Sequence, residues 1–188
     1  MWTDKGGKRN PNVRKVSELP YQQTYGEMWN ELEYILCDHH FIEAKCSAGM
    51  TYDLIHDYNT VLDSLPEAQE EKQEKLKHEE RLKKYTEDLI SYAKGDIEHL
   101  DIIPSAKPWS EEKIGKDIER IINNPTRLDR IQSFSQFVSS ESHALVKFAS
   151  YPGFCVQQAY NSASFGPIAS AAESIINSEM NIFILLHS

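Results

Sequence analysis

The chain lacks most of the signatures that would assign it a chemistry. Its 188 residues include only three cysteines, Cys37, Cys46 and Cys155, without CxxC spacing. An odd, sparse set excludes a secreted disulfide scaffold and points to a reducing compartment. No apolar run approaches the ~20 residues that cross a bilayer, the longest being Ile182 to Leu186, and the first ten residues lack the apolar stretch of a signal peptide. Positive charge is also short: 20 Lys and Arg stand against 29 Asp and Glu, a formal net charge of -9. That balance repels a polyphosphate backbone and argues against nucleic acid as a partner, because the basic pairs Lys8-Arg9 and Arg14-Lys15 are confined to a short leader. Neither nucleic acid nor membrane is therefore expected as a partner.

Catalytic motifs are missing in the same way. Gly6-Gly7-Lys8 is followed by Arg9, not by the Ser or Thr of a phosphate loop. Ser140 and Ser142-His143 lie outside any GxSxG elbow and on a helical pattern. Cys37, Asp38, His39, His40, Glu43 and Cys46 are metal-capable types within ten positions. Their spacing fits neither CxxC nor HExxH, however, and adjacent histidines cannot share one helical face. Asp53, His56 and Asp57 could orient a general base, but no nucleophile or metal accompanies them. Cys155, between Phe154 and Val156, reads as a buried small hydrophobe. No catalytic, metal or cofactor-binding residue is assigned; a metal-dependent enzyme using His39, His40 and Glu43 is the remote alternative.

What is present is helical periodicity. No segment shows the strict two-residue alternation of a half-buried strand, and the fold expected is all-α, stacked helix pairs with one long charged helix. Residues 1–16, rich in Gly, Lys, Asn and Pro, read as a flexible leader. Residues 17–188 read as the helical domain. Its first stack, 17–65, opens with Ser17 as a cap and carries Leu19, Tyr21 and Tyr25, then Met28, Leu32, Ile35 and Leu36. Asp38 and Thr51 cap the next two helices, the second with Leu54, Ile55, Tyr58, Val61, Leu62 and Leu65 at helical spacing.

Residues 66–108 form a charged insertion, one long helix whose sparse apolar residues organise late, as Leu82, Tyr85, Leu89 and Tyr92, followed by a loop around Pro104 and Pro108. Its first part is expected to project and its second to dock. The second stack, 109–188, starts with Ser110 and a stripe of Ile114, Ile118, Ile121 and Ile122. A helix from Leu128 through Phe148 follows, then a short one at Phe154 to Ala159 and a last one from Pro167, rich in Ala169, Ala171 and Ala172. Trp29, Tyr34, Phe41, Tyr52, Tyr58, Phe134, Phe137 and Phe148 are expected as core anchors.

Two blocks carry a resemblance. Phe41-Ile42-Glu43-Ala44-Lys45 and Leu54-Ile55-His56-Asp57-Tyr58, preceded by the Leu19 to Leu32 segment with Trp29, form one. The other runs from Phe134 to Ala172, with His143, Leu145, Pro152, Gln158, Ala159 and Asn161. Together they resemble the helical domain of apoptotic protease-activating-factor-like NACHT/NB-ARC ATPases with WD repeats, over residues 17–65 and 131–186. The resemblance implies a non-catalytic linker, cytoplasmic and without a cofactor, that holds WD-repeat propellers at a set distance from a nucleotide-switch core. Since no phosphate loop, winged-helix pattern or WD repeat occurs in the 188 residues, it also implies a fragment of a larger signalling ATPase. On that reading Ile182, Phe183, Ile184, Leu185 and Leu186 are the interaction residues, leading toward the first propeller. A free-standing protein-binding helical adaptor is the alternative.

Overall fold

The computed structural model describes residues 2–5, 8–96 and 111–186, with side chains described for 10–96 and 114–178. Over these residues the chain is all-α apart from one short ladder. The elements are β1 (Trp2–Lys5), β2 (Lys8–Pro11), α1 (Val13–Tyr25), α2 (Trp29–Leu36), α3 (His39–Ser47), α4 (Thr51–Ser64) and α5 (Pro66–Lys94). They continue with α6 (Glu111–Asn123), α7 (Arg127–Ser140), α8 (Ser142–Lys147), α9 (Phe154–Ser162) and α10 (Pro167–Leu186).

The leader is where the fold departs first from expectation. Trp2 pairs with Pro11 and Lys5 with Lys8 in an antiparallel ladder, and β2 runs beside α3. Gly-Gly between polar runs, read as a flexible stretch, is equally a two-residue hairpin signal. The first helix then starts at Val13, not near Ser17, because Asn12 caps it, its side chain accepting from the Lys15 N–H at 3.1 Å. Pro20 falls inside this helix and is buried. At the α1–α2 turn it is Glu27, not Gly26, that takes a positive φ of 53°. A Cβ at Gly26 would stand 3.0 Å from the Gln22 carbonyl oxygen, a tight contact that glycine avoids.

Most later boundaries follow local chemistry, but Thr51 is the first residue of α4 and not its cap, a position held by Met50 with no side-chain cap bond. Asp38 caps α3, its carboxylate accepting from His40 N–H at 2.9 Å. Leu65 alone separates α4 from α5, whose first residue is Pro66, a position where a missing N–H costs nothing. Gly95, at φ 79°, closes α5 in the left-handed conformation. Thr126 and Asp129 form a reciprocal capping box at the start of α7. The long helix expected from Leu128 through Phe148 is divided at Glu141 into α7 and α8.

One core draws on both stacks. Leu32, Leu36, Phe41, Ile42, Leu54, Tyr58 and Val61 from the first half join Ile131, Phe134, Val138, Leu145 and Ala159 from the second in a single buried cluster. At its centre α7 packs against α2, α4, α8 and α10, while α3 packs against α1, α2, α4, α8 and α9. The small residues of α10, Ala169 and Ala172, are buried and let α10 lie close to α9 and α7.

Other expected core positions are not in it. Tyr34 and Tyr52 are 78% and 70% exposed, and Tyr21 and Tyr25 also face outward. Each sits on a helix whose opposite face already fills the core, so periodicity located a helix without settling which aromatic turns inward. The stripes on α5 and α6 likewise remain open: no residue of α5 is buried, and Ile114 and Ile118 are about half exposed. A mid-chain helix with an apolar stripe docks only where the fold leaves a complementary face. Ile182, Phe183, Ile184, Leu185 and Leu186, expected as interaction residues, extend α10, but their side chains lie outside the described residues.

Candidate functional site

The polar and sulfur groups singled out in the sequence do gather at the start of α3, where each turns toward a different partner. Asp38 is committed to capping. His39, the first residue of α3, has no solvent exposure. Its Nε2 lies 3.4 Å from the Ile168 carbonyl oxygen and its Nδ1 3.8 Å from Cys155 Sγ. A carbonyl can only accept, so Nε2 carries the proton and Nδ1 is left to accept from the Cys155 thiol. The ring packs on Phe134, with centroids 5.1 Å apart, and edge-on against Phe137 at 5.9 Å.

This environment sets the charge state of the pair. Burial holds the His39 imidazole below its ordinary pKa, an effect stronger than the opposing hydrogen bond to Ile168 and the charge of Asp38. Burial also pushes the Cys155 thiol well above its ordinary value. The result is a neutral thiol against a neutral imidazole, whereas nucleophilic cysteines are thiolates in electropositive surroundings. The contact ties α3, α9 and α10 together.

Glu43, one turn further along α3, is also spoken for. Its Oε2 accepts the Gly153 N–H at 3.0 Å. Gly153 caps α9 from the left-handed conformation at φ 77°, so a carboxylate borrowed from α3 satisfies the start of α9 and meets its positive dipole end. His40 is partly exposed and lies between two clefts. One, of about 670 Å³, is bounded by Asn30, Glu33, Tyr34, Asp38, Ser174 and Ile175. The other, of about 350 Å³, is bounded by Glu43, Gly153, Gln157, Tyr160 and Ile176. Cys37 and Cys46 are free thiols like Cys155. Burial pushes Cys37 up to about 12, with the Glu33 carboxylate adding to it, and raises Cys46 as well. Among the described residues no group of three or more His, Cys, Asp or Glu is placed to hold a metal ion.

The second constellation, Asp53, His56 and Asp57, is divided by the helix surface. Asp53 and His56 face solvent on α4. Asp57 pairs with Lys45, whose side chain is 1% exposed and whose Nζ also lies 6.0 Å from the Phe41 ring centroid. Burial raises the Asp57 pKa, and the Lys45 ammonium opposes the rise. Ser140 donates to the Phe137 carbonyl oxygen at 3.1 Å, and the adjacent Ser142 and His143 open α8.

Sequence reasoning did not identify the buried Lys45–Asp57 pair. A Lys inside an otherwise apolar helix face, with Asp one helix later, was its only trace. Nor did it find the cross-helix arginines. Arg127 bonds Glu67 of α5 and Asn30 of α2, Arg130 bonds Glu33 of α2, and Arg120 bonds Asp129. Tyr58, fully buried, donates to the Leu36 carbonyl oxygen at 2.5 Å, and burial pushes its phenol well above the ordinary value.

A third cleft, of about 390 Å³, opens between α6, α7 and the α9–α10 connection. Ile118, Ile121, Ile122, Phe137, Phe165 and Ile168 make it mostly apolar, and among the described residues Glu141 is its one charged lining residue.

No protein-family model, curated protein or solved structure matches the chain. None of the described helices is long and apolar enough to cross a membrane.

Proposed function

We propose that the chain is a non-catalytic helical scaffold, the cytoplasmic linker of an apoptosome-type ATPase that sets WD-repeat propellers at a fixed distance from a nucleotide-switch core. The observation that carries the reading is the fate of the polar groups. His39, Glu43 and Lys45 are each bound to a residue of another helix, Ile168, Gly153 and Asp57. Groups that are consumed in fastening helices stiffen a body, and stiffness is what a spacer requires.

Two further features support it. The Phe41 to Lys45 and Leu54 to Tyr58 segments, which carry the resemblance, contribute Phe41, Ile42, Lys45, Leu54 and Tyr58 to the fully buried set. The second resembling block packs on the first through α7 and α9. A motif made of packing residues transmits geometry; it supplies no reacting atom.

The test is the complete reading frame. The linker reading expects a nucleotide-switch domain before the first helix and WD repeats after the last. A frame that closes at both ends without either removes it and leaves the free-standing adaptor. The adaptor has its own support in α5, 29 residues with none buried. It expects a pull-down that depends on residues 67–88 and survives changes at the C-terminal tail.

A further inference from the structure

His39 joins α3 to three other helices with one neutral side chain. Its ring packs on Phe134 and Phe137 of α7, its Nε2 meets the Ile168 carbonyl oxygen of α10, and its Nδ1 meets Cys155 Sγ of α9. Imidazole is the side chain whose ordinary titration falls between pH 5 and 8. A junction closed by a neutral imidazole is therefore open to disturbance by acid.

A second proton on this ring would be poorly received. It enters at Nδ1, which then has to donate, and the atom facing it is a thiol sulfur, a weak acceptor. His39 is also the first residue of α3, where the helix dipole already presents positive charge. The surrounding ionisable groups offset little of this. On α3, Asp38 attracts the proton and the His40 ring opposes it, while Glu43 is engaged by the Gly153 N–H. On α2, Glu33 is bound by Arg130 of α7, and the Cys37 thiol stays protonated. On α7, Glu141 is engaged by Gln158 of α9; on α9 itself the Cys155 thiol is neutral, and on α10 Glu173 faces solvent.

The elements with least to lose by letting go are α9 and α10. Among the described residues they bury Cys155, Val156, Ala159, Ala169 and Ala172, with Ile168 the largest. Small side chains withdraw little apolar area, so this contact is weak for its length. The rest of the core, with Leu36, Phe41, Ile42, Tyr58, Ile131, Phe134 and Val138, lies in α2, α3, α4 and α7. Both helices follow these in sequence, so they can separate without breaking any of them.

We infer that His39 is an acid-sensitive latch: neutral, it fastens α9 and α10 to α3 and α7, and on protonation the two helices open as a unit while the body of α2, α3, α4 and α7 stays folded. The latch is independent of the linker reading, which the reading frame decides.

Native-state amide hydrogen exchange of the full 188-residue chain, read as protection factors at pH 7 and 5.5, tests this. Over residues 154–178, α9 and α10 should be at least about tenfold less protected than α2 and α4, because they open without the body. Their protection should fall by about a further tenfold between pH 7 and 5.5, close to the limit for uptake of one proton below pH 6.5. His39→Gln can still donate to Ile168 but takes up no proton, and should hold the two values within about twofold. If His39→Gln lowers the helical circular dichroism, His39→Phe replaces it, filling the same aromatic contact without a titrating nitrogen. Exchange of α9 and α10 only together with α2 and α4 overturns the latch, since the core then opens as one. Equal protection of α9 and α10 at both pH values does so too. A loss that persists in the His39 variant also overturns it; should that loss vanish in Glu43→Gln, the acid response belongs to the carboxylate that caps α9.

Discussion

Consecutive helices α4 and α5 are separated by a single residue, Leu65, yet they are held in place by different physics. α4 buries Thr51, Leu54, Tyr58 and Val61, and its Asp57 reaches a lysine inside the core. α5 buries nothing, and among its residues Ala68 is the one packed against the core. Its stability rests on strong helix formers, close i to i+4 pairs such as Glu71 with Lys75, a proline at its start and a left-handed glycine at its end. The first kind of helix is specified by its neighbours and the second by its own sequence. Substitutions should therefore act on them very differently.

The largest expected contrast lies in truncation. Phe134→Ala, at 1% exposure against His39, should cost about 3 to 5 kcal/mol in urea denaturation. A loss below about 1 kcal/mol would mean the centre of α7 can collapse around the missing ring.

Charge in the core sharpens the comparison next. Asp57→Ala leaves the Lys45 ammonium buried without its partner and should cost about 3 kcal/mol. Lys45→Met combined with Asp57→Ala should recover most of that loss, because the desolvation cost disappears with the charge. If the double variant is as unstable as the single, the pair contributes net attraction and not merely mutual neutralisation.

Acid should also act through the core. The folded His39 pKa lies below its ordinary 6.5, so below pH 6.5 the unfolded chain takes up this proton before the folded one does. This contribution to stability is therefore intact above pH 6.5 and lost as pH falls, at up to about 1.4 kcal/mol per pH unit. His39→Gln should flatten the stability profile between pH 6.5 and 5. Glu67 and Asp129, both held below the ordinary carboxylate range despite some burial, by Arg127 and by Thr126 with Arg120, act in a separate and more acidic window. An unchanged profile in His39→Gln would place the acid sensitivity elsewhere.

The smallest effect is expected on α5. Leu89→Ala should shift the stability by no more than about 0.5 kcal/mol, measured by denaturation. A larger loss would show that the distal helix packs on the body.

Most of the helix boundaries were legible because they are local. Asp38 before His39, Asn124-Pro125 after α6, Pro66 at the start of α5 and Gly95 at its end all act through the backbone within a turn or two. α1 starts ahead of Ser17 because Asn12, also a capping residue type, takes that role one residue before Val13. The break at Glu141 had no comparable signal, since the apolar pattern runs on to Leu145 and Phe148. At the candidate site the sequence brought the right residues into view and misjudged their company. His39, Glu43 and Asp57 lie 129, 110 and 12 positions from Ile168, Gly153 and Lys45, the groups they bind. No spacing rule reaches across those separations.

By itself, then, the sequence determined that this protein is helical, where most of its helices begin and end, and that α5 would be long and charged. Those outcomes depend on propensity, capping and turn chemistry, which are settled over a few residues. Only the tertiary structure decided that the two stacks share one core, that Tyr34 and Tyr52 face water while Phe41 and Tyr58 do not, and that the stripes on α5 and α6 remain open. It also decided that the metal-capable residues of α3 would be spent on other helices. Such outcomes turn on which faces meet, and a helix's apolar face carries no label for its partner.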